Sequence, residues 1–259
     1  MSAPLNLDPE ATAPTAERRS RRLRRLRHLH KIIATAYQTS LQRLTLDSLT
    51  IELLRVADVD SLLDRLPRIQ FRPDERLPYW ADLWPSAMAL ARYLERATNL
   101  SGLQVLELGC GLGLAGIVAS RKGAAVTLTD YEADALAFAR YNALRNGCQQ
   151  VIVRHLDWHA PALPEAYGMI VASDVLYERA NFQPILHILQ TALGPRGRFL
   201  VAEPNRPIAR DFFRLLRDHE FRYERTTAHV EVNGEQHAVS IYHGARKHEW
   251  CGWLRGHEG

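Results

Sequence analysis

Three glycines at alternate positions follow an apolar strand pattern near the middle of the chain. Residues 105–113 read Val-Leu-Glu-Leu-Gly-Cys-Gly-Leu-Gly, so Gly109, Gly111 and Gly113 come directly after a run that is typical of a buried strand. Glycines at this spacing let the backbone turn tightly and lie against a ligand, and residues 114–122 can then form a helix. The pattern predicts a loop that holds a cofactor. The alternative is a tight strand-to-helix turn that binds nothing.

The spacing of these glycines distinguishes between two classes of cofactor. A dinucleotide fingerprint has the pattern G-x-G-x-x-G, but Leu114 stands where its third glycine would fall and Gly113 comes one residue early. Glu107, two residues before the first glycine, suits a ligand with a cationic amine better than a pyrophosphate. S-adenosylmethionine (SAM) has such an amine, so the loop favours SAM over a nicotinamide dinucleotide.

Acidic residues also follow the next two predicted strands. Ligands of an open α/β sheet bind beyond the carboxyl ends of its strands. Asp130 ends the second strand, where a carboxylate could accept both hydroxyls of a ribose or cap the helix that begins near Glu132. Asp157 and Trp158 follow the third strand. There the acid or the next backbone group could bind an adenine amino group and the indole could stack on the ring, or Trp158 could simply pack at the rim.

A fourth predicted strand ends in Asp174-Val175-Leu176-Tyr177, which supplies a carboxylate and a phenol. This strand should neighbour the first one, so Asp174 would lie nearest to a transferred methyl group and its acceptor. Methyl transfer from a sulfonium mainly requires an aligned nucleophile, exclusion of water and an unprotonated amine. Asp174 and Tyr177 are therefore the catalytic candidates, with a turn cap and ordinary packing as the structural alternative.

The elements that must position these residues alternate regularly between strand and helix. Strands are predicted at 103–108, 125–129, 151–155, 168–173 and 197–202, and helices at 114–122, 132–146, 181–193 and 206–218. Such alternation implies a parallel sheet with right-handed crossovers and helices on both faces. Asn233-Gly234 is a strong hairpin signal between residues 219–232 and 235–246, so the last two strands should be antiparallel.

The remaining segments lie before the glycine loop and at the end of the chain. Residues 1–16 are predicted to be a disordered tail and residues 17–42 an arginine-rich amphipathic helix. Residues 43–78 are predicted to form an N-terminal cap and linker, with a strand or hairpin over 44–56 and a short helix near 58–66. A helix is predicted from Pro85 to about Thr98. Residues 79–246 would be the main domain and 247–259 a C-terminal tail.

The basic charge of the chain belongs to its N-terminal arm. Residues 1–31 have eight basic and three acidic side chains, a balance of +5, whereas the other 228 residues sum to −1. Leu23, Leu26, Leu29, Ile33, Ala36 and Tyr37 form an apolar stripe on the arginine-rich helix. The helix could lie on RNA, on an anionic membrane or on the body of the protein. A mitochondrial presequence is disfavoured by its acidic residues.

The composition predicts a soluble, cytoplasmic protein. A hydrophobic content of 46% is enough for a substantial core, and no apolar run is long enough to span a membrane. The three cysteines share no metal-ligand spacing and imply neither a disulfide framework nor a zinc site. His155 and His159 have a helical metal-binding spacing, but they bracket a strand end where that spacing has no meaning, so no metal is predicted.

Four motifs, together with the glycine loop at 105–113, resemble a known family in this order. They are Pro78-Tyr-Trp-Ala-Asp-Leu-Trp-Pro-Ser-Ala87 before the glycine loop, then Thr129-Asp130, Leu156-Asp157-Trp158 and Asp174-Val-Leu-Tyr177. Over residues 70–245 the chain resembles the lysine methyltransferase-like group of class I SAM methyltransferases, which includes the electron-transfer flavoprotein beta-subunit lysine methyltransferase and its bacterial relatives. The arginine-rich helix is not part of that pattern.

This resemblance implies a Rossmann-like seven-stranded sheet and a SAM site. By the likeness, Trp84, Gly109, Gly111, Gly113, Asp130, Trp158 and Ser173 would line the SAM site, and Asp174 and Tyr177 would face the acceptor. The sequence therefore predicts a SAM-dependent N-methyltransferase that acts on a lysine of a protein. The alternatives are methylation of RNA, delivered by Arg18 to Lys31, methylation of a small molecule, and a non-catalytic SAM-binding regulator. The oligomeric state is not predicted.

Overall fold

The computed structural model describes residues 15–59, 78–97, 100–148, 150–163 and 166–250. Two N-terminal strands form an antiparallel hairpin and the other seven form one sheet. The strands are β1 Thr39–Thr45, β2 Thr50–Val56, β3 Gln104–Leu108, β4 Ala125–Asp130, β5 Val151–His155, β6 Tyr167–Ser173, β7 Leu193–Glu203, β8 Phe221–Val232 and β9 Glu235–Arg246. The helices are α1 Thr15–Ala36, α2 Pro85–Arg96, α3 Leu114–Arg121, α4 Ala133–Arg145, α5 Phe182–Ala192 and α6 Ala209–Asp218.

The main sheet has the strand order β5-β4-β3-β6-β7-β9-β8. Strands β3 to β7 are parallel, and β9 pairs antiparallel with both β7 and β8. Helices cover both faces, and so the central strands are almost continuously apolar, as in β3 and β6. The predicted α/β fold with a C-terminal antiparallel hairpin is confirmed. The direct pairing of β3 with β6 also confirms that the first and fourth strands of the main sheet are neighbours.

The predicted hairpin near residues 44–56 is present, but its first strand begins earlier than expected. The predicted helix over 17–42 ends at Ala36, and residues 39–45 pair with 50–56 instead. Strand pairing over this stretch depends on contacts with a distant segment, which helical periodicity does not reveal. The predicted disordered tail lies mostly outside the described residues, as do most of the predicted helix near 58–66 and the end of the C-terminal tail.

The apolar stripe of α1 docks on the body of the protein. Leu26 and Ile33 are buried and Leu29 and Tyr37 are partly buried in a cluster with Phe138 of α4. Leu23 is 44% exposed, contrary to expectation, because it lies at the edge of the stripe, roughly 60° around the helix from Leu26. Within the described ranges, no helix combines the length and the apolar character needed to cross a membrane.

Asn142 of α4 and Asn146 at its C-cap hold the N-terminal hairpin, and Asn142 also joins it to the glycine loop. The Asn142 side chain accepts a hydrogen bond from Leu54 N–H at 2.7 Å and donates to Leu54 O and Leu112 O at 3.1 and 3.0 Å. Asn146 exchanges hydrogen bonds with the backbone of Glu52 in the same way. The hairpin therefore braces α4, and Asn142 also fixes a carbonyl of the glycine loop.

Candidate active site at the carboxyl ends of the strands

A cavity of about 730 Å³ opens where β3, β4, β5 and β6 end. Its size lies within the usual range for small-molecule sites. Nine of the eleven residues predicted for the site line it: Trp84, Gly109, Gly111, Asp130, Asp157, Trp158, Ser173, Asp174 and Tyr177. Glu107 and Gly113 lie behind the wall of the cavity instead. Tyr79, Trp80 and Arg206 line it as well but were not predicted as site residues.

The glycine loop forms a cradle that side chains would fill. Gly109 has a φ of 62°, and a Cβ there would lie 3.2 Å from both the Trp158 indole and Val175. Gly111 has a φ of 50°, and a Cβ there would lie 3.3 Å from the Trp80 carbonyl oxygen. Both positions need the left-handed backbone that glycine adopts without strain. The loop can therefore bring bare backbone against a ligand, as the sequence predicts.

Glu107 points away from the cavity and supports the turn from within. It is 1% exposed, and its Oε2 accepts a hydrogen bond from Gly116 N–H in α3 at 2.8 Å. Burial raises the pKa of Glu107 to about 8, although the Gly116 hydrogen bond opposes the shift. Gly113 is the N-cap of α3, and a Cβ there would lie 3.3 Å from both Ala139 and Leu128. The geometry gives both residues a structural role, and their contact with a cofactor stays a prediction.

Glu107→Gln is expected to make the stability of the protein less dependent on pH. The folded-state pKa of Glu107 is above the ordinary value of 4.5, so between those values the folded state binds more protons and stability falls as pH rises, by up to about 1.4 kcal/mol per pH unit. Urea unfolding at pH 5.5 and at pH 8 should show that the free energy of unfolding falls less between these pH values in the variant than in the wild-type protein. SAM affinity should stay within about threefold. A tenfold loss would mean that Glu107 reaches the cofactor amine after all.

Asp130 organises the loop and faces the cavity at the same time. Its Oδ2 accepts from Gly111 N–H at 2.9 Å and its Oδ1 from Glu132 N–H at 3.0 Å, and the residue is 8% exposed. It therefore fixes the turn that leads into α4, but the N-cap of that helix is Glu132, so Asp130 is not the helix cap that the sequence offered as its alternative role. Each carboxylate oxygen has a second lone pair, so fixing this turn and accepting two ligand hydroxyls are compatible.

Asp157 and Trp158 form the side of the cavity next to Asp130. Asp157 Oδ1 accepts from His159 N–H at 2.9 Å, which holds the turn after β5. Trp158 packs partly into the apolar cluster under the sheet, and its ring edge lies over Gly109. An acid and an aromatic face are thus available to a nucleobase at this position.

Aromatic rings form the mouth of the cavity. Trp84, the N-cap of α2, donates from Nε1 to the Tyr79 carbonyl oxygen at 2.7 Å. The Tyr79 ring lies 6.1 Å from the ring of Trp84 and 5.7 Å from that of Tyr177. Tyr79 is 46% exposed, so the edge of this mouth is open to solvent. Tyr79 and Trp80 lie within the motif that carried the family resemblance, which is the signal that could have identified them.

The acceptor wall, which we define as Asp174, Tyr177 and Arg206, lies at the ends of β6 and β7. Asp174 has a φ of 61° and donates its N–H to Ala202 O at 3.0 Å. Its Oδ1 is in contact with Arg206 Nη1, and its buried Oδ2 has no hydrogen-bond partner within the described part of the chain. Asp174 lines the cavity, and a buried carboxylate oxygen without a partner at such a position fits a site for a polar or cationic group.

Comparison with known families explains this arrangement. The family model described as lysine methyltransferase matches residues 68–219, more than half of the chain. The chain belongs to this family. The match spans the glycine loop and the acceptor wall, and it confirms the resemblance seen in the motifs. The protein is accordingly a SAM-dependent lysine methyltransferase, and SAM is its cofactor.

Relatives named as protein methyltransferases align over much of the chain. EEF1A lysine methyltransferase 3 of Mus musculus is 30% identical over 190 residues, which are 68% of this chain and 79% of the relative. Protein N-lysine methyltransferase METTL21A of Xenopus tropicalis is 34% identical over 161 residues, which are 59% of this chain and 70% of the relative. The electron transfer flavoprotein beta subunit lysine methyltransferase of Danio rerio is 32% identical over 50% of this chain and 51% of its own.

Solved structures confirm the fold. The ribosomal protein L11 methylase of Lactobacillus delbrueckii subsp. bulgaricus superimposes with a TM-score of 0.53 over 64% of this chain and 81% of its own, at 20% identity. Magnesium protoporphyrin IX methyltransferase of Synechocystis PCC 6803, crystallised with SAM, gives a TM-score of 0.52 over 62% and 78%, at 21% identity. At these identities the likeness extends to the methyltransferase fold alone.

Proposed function

We propose that the cavity holds SAM along the glycine loop and presents a lysine amine of a protein acceptor to it at the acceptor wall. In this assignment, the backbone of Gly109 and Gly111 lies against the cofactor. Asp130 accepts hydrogen bonds from the two ribose hydroxyls. Asp157 and Trp158 surround the adenine, and Trp84 and Ser173 complete the wall. The observation that carries the proposal is the unpartnered buried Oδ2 of Asp174 at the same cavity as the glycine cradle.

The residues of this chain have two tasks in the reaction. The bound cofactor supplies a methyl group on a positively charged sulfur, which needs no further activation. Asp174 and Tyr177 orient the acceptor amine so that its lone pair points along the line of displacement. The aromatic mouth of Tyr79, Trp84 and Tyr177 excludes water around the acceptor chain. The acceptor ammonium loses one proton to solvent before its nitrogen bonds to the methyl carbon, and the sulfur keeps the electron pair of the broken carbon–sulfur bond.

A labelling experiment tests the class of acceptor. Purified protein is incubated with methyl-labelled SAM and an extract of cells that lack it, and the products are divided into protease-treated, nuclease-treated and low-molecular-weight fractions. The proposal predicts label that is lost on protease treatment and resists nuclease. Label in the nuclease-sensitive or low-molecular-weight fraction would contradict it, and an absence of any labelled product would favour a non-catalytic role.

A cytoplasmic location belongs to the same proposal. Cys110 and Cys148 are free, and burial raises the pKa of both thiols, so both are predominantly protonated at neutral pH. Unpaired thiols are typical of a reducing compartment. Fractionation of the source cells with a tagged protein would test this location.

A second binding function is favoured by the position of α1. Since Leu26 and Ile33 are buried against the body, the basic residues of the helix remain exposed: Arg19, Arg21, Arg22, Arg24, Arg25, Arg27 and Lys31. Arg21 pairs with Glu17 and Arg22 donates to Arg145 O at 2.9 Å. The remaining basic side chains still form a charged face, and we propose that Arg18 to Lys31 contacts RNA phosphates.

Neutralising this face should weaken RNA binding and reduce its dependence on salt. The variant Arg19→Gln/Arg24→Gln/Arg27→Gln keeps the apolar stripe and should lower the slope of log affinity against log salt by about 0.7 for each lost contact to single-stranded RNA. Fluorescence anisotropy with labelled poly(U) at 50 to 200 mM salt measures it. The control is Arg210→Gln/Arg222→Gln/Arg225→Gln, which removes three exposed arginines elsewhere. Equal RNA affinity of the two variants would contradict the proposal.

A further inference from the structure

Two buried acids share one arginine at the acceptor wall. Arg206 Nη1 is in contact with Asp174 Oδ1 and lies 3.5 Å from Glu203 Oε2, while Arg206 N–H donates to Glu203 Oε1 at 2.8 Å. The exposed fractions of the side chains are 8% for Asp174, 1% for Glu203 and 31% for Arg206. The guanidinium is therefore placed between a carboxylate at the cavity and a carboxyl group beneath it.

The loop after β7 holds Arg206 in this position. Asn205 adopts a left-handed backbone with a φ of 70°. Its side chain donates to Ala238 O at 2.8 Å and accepts from Ser240 Oγ at 2.6 Å, which fixes the loop to β9. Asp174 is fixed in turn by its N–H bond to Ala202 O in β7. The backbones of Arg206 and Asp174 are thus held at two adjacent strand ends, and this placement brings their side chains into contact.

An isolated carboxylate would be a poor neighbour for a methyl acceptor. A carboxylate near a lysine stabilises the charged ammonium and raises its pKa, which removes the lone pair needed for attack. A guanidinium beside that carboxylate has the opposite effect. The other ionisable side chains that line the cavity are Tyr79, Asp82, Cys110, Asp130, Tyr131, Glu132, Asp157, His159, Tyr177 and Glu178. Among the cavity-lining residues that the structure describes, Arg206 is the sole arginine or lysine.

We propose that Arg206 is a positioning residue that keeps the acceptor amine neutral by compensating Asp174. The inference rests on the proposed role of Asp174. The acceptor can still hydrogen-bond to the carboxylate, but the nearby guanidinium lowers the pKa of its ammonium, so one proton leaves to solvent and the lone pair becomes available. Glu203 reduces the effect of Arg206 on the pKa of the acceptor ammonium. Burial raises the pKa of Glu203 to about 7, so above that pH its carboxylate offsets part of the charge of Arg206.

The pH dependence of kcat tests the proposal with one variant that should move the acid limb to higher pH and one that should move it to lower pH. Initial rates are measured with saturating SAM and with total protein from cells lacking the enzyme, at a concentration where the rate no longer increases. Arg206→Met should move the acid limb of the profile up by about one pH unit, so the rate near pH 7 falls about tenfold and recovers at higher pH. Arg206→Lys should keep the wild-type profile. Glu203→Gln should move the acid limb to lower pH, because the charge of Arg206 is then less compensated.

Further measurements distinguish a failure of the proposed role of Arg206 from a failure of the proposed role of Asp174. Calorimetric SAM affinity should change by less than about threefold in all three variants, and thermal unfolding shows whether each is folded. If Asp174→Asn retains full turnover, the proposed function of the wall fails. If Asp174→Asn is inactive but Arg206→Met loses rate equally at every pH, only the role of Arg206 is overturned. Should Arg206→Met not fold, Glu203→Gln decides alone, and a shift to higher pH or no shift would overturn the proposal.

Discussion

Asp174→Asn is expected to lower methyl transfer by a factor of about 100 to 1,000 while the protein still binds SAM. The substitution keeps the shape of the side chain but removes the charge that attracts and orients the acceptor amine. It also leaves Arg206 facing the cavity with Glu203 as its remaining acid, so below about pH 7, where Glu203 is protonated, a cationic acceptor meets net positive charge at the wall. The rate of label transfer into protein and the calorimetric SAM affinity are the two measurements.

A matched control for this variant lies on α6. Asp218 is exposed at the end of the helix, away from the cavity lining, and Asp218→Asn should leave turnover within about twofold. Thermal unfolding of both variants shows whether the loss is local. Full turnover of Asp174→Asn with intact SAM binding would remove Asp174 from the reaction and leave Tyr177 as the remaining candidate of the pair.

Asp130→Asn is expected to weaken SAM binding by about 100-fold or more. Hydrogen bonds to a charged group are worth about 1.5–3 kcal/mol each, and loss of two ribose contacts corresponds to at least about 3 kcal/mol. The amide could keep one acceptor for Gly111 N–H or Glu132 N–H but not both, so the glycine loop would also loosen. Isothermal titration with SAM measures the effect, again with Asp218→Asn as the control. Unchanged affinity would show that Asp130 only shapes the turn.

The two variants should fail in different ways. Asp130→Asn should raise the SAM concentration needed for half-maximal rate and recover activity at high SAM, because the acceptor wall is intact. Asp174→Asn should not be rescued by SAM. If both were rescued, the division of the cavity into a cofactor side and an acceptor wall would be wrong.

Much of the fold could be predicted because its signals are local. The glycine loop, the apolar runs of the parallel strands and the Asn233-Gly234 turn each depend on neighbouring residues, and the observed strands match them closely. The sequence left three possible positions for α1, on RNA, on an anionic membrane or on the body of the protein, and the structure shows the last. The stripe of Leu26 and Ile33 predicted an apolar contact, but it could not say that α4 would provide it.

The site was harder to predict where side chains from different strands meet. Glu107 precedes the glycines by two residues, yet strand alternation and burial turn its carboxyl group toward Gly116 and not toward the cavity. Arg206 follows the strand next to that of Asp174. The rule that ligands bind at adjacent strand ends could have paired the two residues. Their contact also depends on the left-handed conformations of Asp174 and Asn205, which are set by bonds to β7 and β9.

The most direct test of the central claim is mass spectrometry of proteins from cells lacking this enzyme, after incubation with SAM that carries a deuterated methyl group. The wild-type protein should add the label to the Nε atom of a lysine in a discrete acceptor protein, and Asp174→Asn should add almost none under the same conditions. Label that is found only on RNA, only on small molecules, or on the same lysine to an equal extent with Asp174→Asn would contradict the account.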